Sequence, residues 1–199
     1  MSMTDSQLIK EIKEGNTELY SQLMRRYQRK ILTFVYHMLK SANLELLAED
    51  ICSETFYKAY RSLHSFREVD ASFSTWLYTI ARNTVLSELR KQRSSQIPLE
   101  ESGYVPVAPQ EIIPEHAILR SEKVNKVRDA INNLPEKQRS ALILREYDQL
   151  DYHEISVILG QSISAVKSLL FRARSSVKNQ LEPYLYEPLF EPFEGMKSR

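Results

Sequence analysis

Residues 151–181 read DYHEISVILGQSISAVKSLLFRARSSVKNQL, and this stretch decides the fold. Asp151 with Glu154 three residues on is the acidic form of a capping box, and Leu150 and Ile155 are spaced for a hydrophobic staple across it. A helix of two to three turns starts here, and Gly160 stands where a left-handed residue ends one. Ser162 is placed to cap the next helix, which carries Val166, Leu169, Leu170, Val177 and Leu181. Ile155, Ile158, Leu159, Ile163, Val166 and Leu170 give the two helices one shared inward face. Short helix, tight turn and longer helix form the pattern of a helix-turn-helix, whose second helix enters the major groove of DNA by its N-terminal part. Gln161, Ser162, Ser164, Ala165, Lys167 and Ser168 are left outward near that end; small or polar, they can approach base edges. Arg172, Arg174 and Lys178 lie further along and suit phosphates. Helix N-termini at Ser162 and Pro135 offer phosphate further free N–H groups. The plainer alternative is a helical hairpin with a solvated basic face. Residues 161–181 hold four basic side chains and no acid, which favours DNA.

The whole chain conceals this bias. Its 199 residues carry 27 Lys+Arg against 26 Asp+Glu, a net charge of +1, which excludes a protein basic throughout but not one with a basic face. Residues 121–181 hold ten basic and seven acidic side chains, whereas residues 182–199 hold two and four. Four isolated glycines exclude the clustered turns of Rossmann and Walker phosphate sites. One cysteine, Cys52, excludes an internal disulfide and a cysteine-based zinc site within the chain. No apolar run of membrane-spanning length and no signal-peptide pattern occur, so the chain reads as cytosolic and soluble.

Working outward, helical periodicity persists and no convincing strand pattern does. Thr4 with Gln7 resembles a capping box for a short first helix ending near Gly15. Leu19, Leu23, Tyr27, Ile31, Phe34, Val35 and Met38 imply a second helix, and a third runs from about Leu44 to Leu63. Ser72 or Ser74 caps a fourth, with Trp76, Leu77, Ile80, Ala81, Thr84, Val85 and Leu89 on its apolar face. Periodicity fails from Ser94 to Pro114, where five prolines or glycines fall, and that stretch reads as an extended linker too long for a routine connection. Helix resumes near Glu115, and Pro135 suits the first position of the helix after it. The expected architecture is all-α: two small helical domains, 1–93 and 115–182, joined by a linker, 94–114, the second being the helix-turn-helix domain. Residues 183–199 form a tail with Glu-Pro at 182–183, 187–188 and 191–192 and aromatic residues between, either disordered or docked in a groove.

The first half presents a different chemistry. Tyr57, Tyr60, Phe66, Phe73, Trp76 and Tyr78 lie among Arg61, Arg67, Arg82, Arg90, Lys91 and Arg93. Aromatic rings beside cations can stack unpaired bases while the charges hold the backbone. Helical spacing gives Tyr57, Phe73 and Trp76 an equally good reading as core, which leaves His64, Ser65 and Phe66 as the better candidates. Enzyme readings are poor: His37, His64, His116 and His153 lack metal-ligand spacing, no metal or cofactor site is indicated, and Glu45, Glu49 and Asp50 suit a solvated first helical turn.

Four ordered segments together resemble the group 4, extracytoplasmic-function branch of the sigma-70 family. Residues 48–60, AEDICSETFYKAY, are similar to its helix that binds core RNA polymerase, and residues 73–83, FSTWLYTIARN, to its −10-reading helix. Residues 134–139, LPEKQR, and 164–168, SAVKS, followed by Arg172-Ala173-Arg174, are similar to its −35-reading domain. The resemblance implies a dissociable initiation subunit with bacterial core RNA polymerase and promoter DNA as partners, without cofactor or small-molecule substrate. Glu49, Asp50, Ser53, Glu54, Phe56 and Tyr57 would face the polymerase clamp. His64, Ser65, Phe66, Arg67 and Phe73 would take up a flipped −10 base, with Arg82, Asn83, Arg90 and Lys91 along that strand. Gln161 to Lys178 would lie on the −35 element. An anti-sigma partner, often membrane-anchored or zinc-bearing, is also implied.

The chain departs from the family at three motif positions: Ser53 where glutamine is frequent, Ser164-Ala165 where Gly-Thr is frequent, and Leu169 where arginine is frequent. The last removes a possible phosphate contact. Two rivals are a dimeric helix-turn-helix regulator that binds duplex DNA unaided and a helical adaptor that contacts no DNA.

Overall fold

A computed structural model describes residues 3–95 and 115–185. Thr4 closes both halves of its capping box with Gln7 and starts α1, Asp5–Lys13, which buries Leu8, Ile9 and Ile12. Gly15 at φ +116° turns the chain into a 3-10 turn, Thr17–Leu19, and then α2, Tyr20–Lys40. A second 3-10 turn, Glu45–Leu47, leads into α3, Ala48–Ser62. A third, Leu63–Ser65, begins the connection to α4, Phe73–Ser95, and the Ser72 hydroxyl caps that helix by accepting from Thr75 N at 3.1 Å. The second module comprises α5, Glu115–Asn132; α6, Glu136–Glu146; α7, Tyr152–Leu159; and α8, Ile163–Leu185. No strand occurs among the described residues.

Each module has its own centre. Phe34 of α2 meets Tyr78 of α4 edge to face at 5.4 Å in the first, and Ile143, Leu144, Ile155, Val166 and Leu170 fill the second. The two centres are continuous, because α4 packs along α7 and α2 touches α6. Small modules expose much of their surface when alone, so mutual packing adds apolar burial that neither could reach alone. The seam between them also carries polar contacts: Arg82 to Glu136 at 2.8 Å, Thr75 to Glu154 at 3.5 Å, and His37 stacked on Tyr147 at 4.5 Å.

Several boundaries differ from the sequence expectation. The third helix is split, with only its middle α-helical and a 3-10 turn at each end. Pro135 is the N-cap of α6, at extended ψ 144°, rather than its first residue. The fourth helix runs to Ser95, past the expected linker start at Ser94; the rest of the linker lies outside the described residues. Helix α8 continues through Pro183 to Leu185 instead of ending at Glu182. Pro183 forfeits one N–H bond, but it and Asn179, whose carbonyl that bond would have used, are both exposed in the last turns, where water substitutes. The remainder of the tail lies outside the described residues.

Candidate nucleic-acid interface

The helix-turn-helix is assembled by its caps. The Asp151 carboxylate accepts from Glu154 N at 2.8 Å, and Glu154 accepts from Asp151 N at 2.9 Å, so two N–H groups at the start of α7 are satisfied reciprocally. Gly160 at φ +60° ends the helix in the left-handed region that Cβ-bearing residues avoid. Ser162 then accepts from Ala165 N at 3.2 Å to start α8. The two helix axes meet at 97°, within the range of a DNA-reading pair.

This bend sorts the side chains of α8. Val166, Leu170 and Ala173 turn inward and are buried, and so is Leu169, at 8% exposure. The Leu169 departure therefore fills a packing position. Ser162, Ser164, Lys167, Ser168, Arg172, Arg174 and Lys178 are exposed, and Gln161 and Ala165 are half-buried at the turn. The cations are not equivalent. Arg172 folds back to donate to the Ser168 carbonyl at 3.3 Å, and Arg174 donates to Glu146 at 2.7 Å, a pairing that raises its already high pKa. Lys167 lies 5.9 Å from the Tyr152 ring centroid, and Arg145 lies 5.1 Å from the same ring. Glu146 and Tyr152 were not singled out in the sequence; acids and rings distant along the chain give no local signal of what they orient.

In the first module the expected single-strand contacts divide. His64, Ser65, Arg67, Asn83, Arg90 and Lys91 are exposed. Phe66 and Phe73, at 5% and 3% exposure, are not surface readers: they form an aromatic cluster with half-buried Trp76, at centroid distances of 5.0–5.9 Å. Lys13 fixes the cluster's rim by donating to the Phe66 carbonyl at 2.6 Å. Arg82 is likewise covered, 8% exposed and ion-paired to Glu136, because α4 turns this face toward the second module.

The expected polymerase-binding residues also divide. Glu49, Asp50, Ser53 and Tyr57 are exposed on one side of α3, and Glu54 is half-buried and paired with Lys58 at 2.7 Å. Phe56 is 2% exposed and belongs to the core, since helical spacing puts it on the buried face of α3 with Cys52, Thr55 and Ala59. Beside the exposed face runs an open, mainly apolar groove of about 480 Å³, lined by Tyr20, Met24, Ser53, Tyr57 and Tyr60. Among the described residues no His, Cys, Asp or Glu cluster could hold a metal, and no single helix is long and apolar enough to cross a membrane.

A helix-turn-helix with an exposed basic row, joined to a helical module with exposed basic side chains, is the architecture of a two-part DNA-directed factor. Residues 23–95 match the family described as Sigma-70 region 2, and residues 125–177 match Sigma-70, region 4. The chain is 36% identical over 190 residues to the RNA polymerase sigma-H factor of Pseudomonas aeruginosa, covering 92% of this chain and 96% of that protein. It is also 36% identical to the ECF RNA polymerase sigma-E factor of Escherichia coli, covering 92% and 97%. Two solved structures share the fold. One is CnrH in complex with the cytosolic domain of CnrY, with TM-score 0.64, 20% identity and coverage of 88% and 96%. The other is the sigma factor RpoE in complex with the anti-sigma factor NepR from Bartonella quintana, with TM-score 0.61, 24% identity and coverage of 82% and 96%. The chain belongs to the extracytoplasmic-function branch of the sigma-70 family. It is an alternative sigma factor that directs RNA polymerase to promoters, an initiation factor rather than a classical enzyme.

Proposed function

We propose that the two modules divide promoter recognition between them, the second reading the −35 element as duplex and the first capturing the −10 element as single strand. The observation that carries this reading is the exposed row Ser164, Lys167, Ser168 and Arg172 on α8, presented by a 97° bend whose inward face, Val166, Leu169, Leu170 and Ala173, is packed. Ser164 and Ser168 are short enough for close approach to base edges, and Lys167, Arg172 and Lys178 supply phosphate contacts. On the first module, exposed His64, Ser65 and Arg67 lie beside half-buried Trp76, whose ring is backed by the buried Phe66 and Phe73 and offers an unstacked base its accessible edge. Asn83, Arg90 and Lys91 lie along the same helix for the strand beyond it. Stacking of about 1–3 kcal/mol per captured base offsets the cost of melting without ATP. Arg82 joins this surface only after it leaves Glu136, so engagement of the −10 strand requires the modules to separate. The exposed face of α3, with Glu49, Asp50, Ser53, Glu54 and Tyr57, is the docking face for core polymerase.

The chain acts in the cytoplasm, where polymerase and promoters are. An anti-sigma factor is the inhibitor we expect, given that the RpoE relative is described in complex with one; a membrane-anchored one would hold the chain at the inner membrane face, and recovery of the chain in the membrane fraction checks this.

Transcription with purified core enzyme on genomic DNA fragments tests the assignment. Promoter-specific transcripts that disappear without the chain are expected; neither core binding nor specific transcripts would overturn it.

A further inference from the structure

Lys167, Phe171, Arg174 and Lys178 follow one another at steps of four, three and four residues, so they form a single stripe along α8. The stripe is about 16 Å long at 1.5 Å per residue. Phe171 is 72% exposed in its middle, and a shallow groove of about 270 Å³ runs beside it, backed by Tyr152 and Leu170. The packing of α8 explains its inward residues but not an exposed phenyl ring set among three cations. It shares Lys167 with the Ser164–Lys167–Ser168–Arg172 row and otherwise runs beside it.

We propose that this stripe is the docking site of the chain's own C-terminal segment, residues 186–199, which reads YEPLFEPFEGMKSR. The complementarity is specific in order as well as in sign. Along the tail Glu187 and Glu191 precede Phe193 and Glu194 follows it, just as, read backward along α8, Lys178 and Arg174 precede Phe171 and Lys167 follows it. Reach decides which ring seats. Helix α8 ends at Leu185, fourteen residues or about 21 Å along the axis from Phe171. Five extended residues span about 17 Å and eight span about 26 Å, so Phe193 reaches Phe171 and Phe190 does not. A tether this short gives an effective concentration of about a millimolar. A contact with an intrinsic Kd of about 0.1 mM is then occupied roughly ten to one. Seated there, three carboxylates stand beside the cations that the proposed −35 contact needs, and the segment competes with duplex DNA. That consequence rests on the reading of α8 as a DNA-binding helix; the docking does not.

Isotope-labelled full-length protein compared with protein ending at Leu185 tests the docking by NMR. Removal of the segment, and separately Phe193→Ala, should shift the signals of Lys167, Phe171, Arg174 and Lys178, and a synthetic 186–199 peptide should restore them in the shortened protein. Phe190→Ala should have the smaller effect. Binding to a fluorescein-labelled DNA duplex of random sequence should tighten about tenfold at low salt on removal, and the peptide should reverse it. Unchanged stripe signals, shifts at the groove beside Tyr57 instead, or a loss confined to core-polymerase affinity would overturn the docking. Stripe shifts with unchanged duplex affinity uphold the docking and count against the role given to α8.

Discussion

At the residue scale, the turn between α7 and α8 hangs on Gly160. A Cβ there meets no neighbour within 4 Å, so Gly160→Ala tests the backbone alone. At φ +60° the substitution should cost about 1–2 kcal/mol, read as a lower urea midpoint with an unchanged denaturant slope. Cys52 allows an equally direct test. It is 4% exposed, and burial, with Glu49 adding, pushes its thiol up to about 11. At pH 7 only about one molecule in ten thousand carries the thiolate. Reaction with a thiol-specific disulfide reagent should therefore be slow in the folded protein and fast in denaturant; rapid reaction of the native protein would show that the α2–α3 contact opens. Single residues also mark where sequence reasoning stops. Phe56, Phe66 and Phe73 sit inside motifs of functional spacing, yet helical periodicity places them inward just as readily. Only the packing of α2 and α4 decides that they support a surface rather than compose it.

At the element scale, α7 and α8 were the most legible part of the chain, because caps, a glycine turn and apolar spacing all agree there. Asp151→Ala removes one side of a closed capping box and should lower stability by about 1 kcal/mol in thermal or urea unfolding. The exposed cations should separate by role. Lys167→Ala should weaken duplex binding and reduce the salt slope of log K by about 0.9 while leaving affinity for core polymerase intact. Loss of core affinity in that variant would argue against the assigned surfaces. Helix α8 outruns its sequence expectation because proline is a strong breaker in a helix interior but a mild one in an exposed final turn. The split of the third helix was invisible for a related reason: 3-10 and α-helical turns share the same apolar spacing over so few residues.

At the scale of the whole molecule, the seam between the modules could not be read from the sequence, since its pairs lie 54 to 110 residues apart. Breaking Arg82–Glu136 with Glu136→Ala leaves a mostly buried guanidinium without its carboxylate. Charge-assisted bonds of this kind contribute about 1.5–3 kcal/mol. The variant should expand in solution scattering and bind single-stranded DNA better, as α4 is uncovered. A second lever is acidic. Asp148 lies between the two modules beside Tyr78, and burial raises its pKa, with the Tyr78 hydroxyl and Lys30 acting in the opposite direction. A raised carboxyl pKa means that the packed form prefers the proton. The stabilising share of this group is complete below its unfolded value of 3.8 and is lost as pH rises through the raised one. Asp148→Asn, which imitates the protonated state, should therefore stabilise the packed form at pH 7 and gain nothing near pH 3. A stability difference that stays constant across that range would place the coupling elsewhere.

Trp76 is the chain's sole tryptophan, and it rests between Phe66 and Phe73 at the edge of the proposed base-receiving surface. Its emission is therefore a built-in optical reporter, free of background from any second indole. A base arriving on that surface would quench it by stacking, so capture of the strand can be timed in a stopped-flow instrument without attaching any dye.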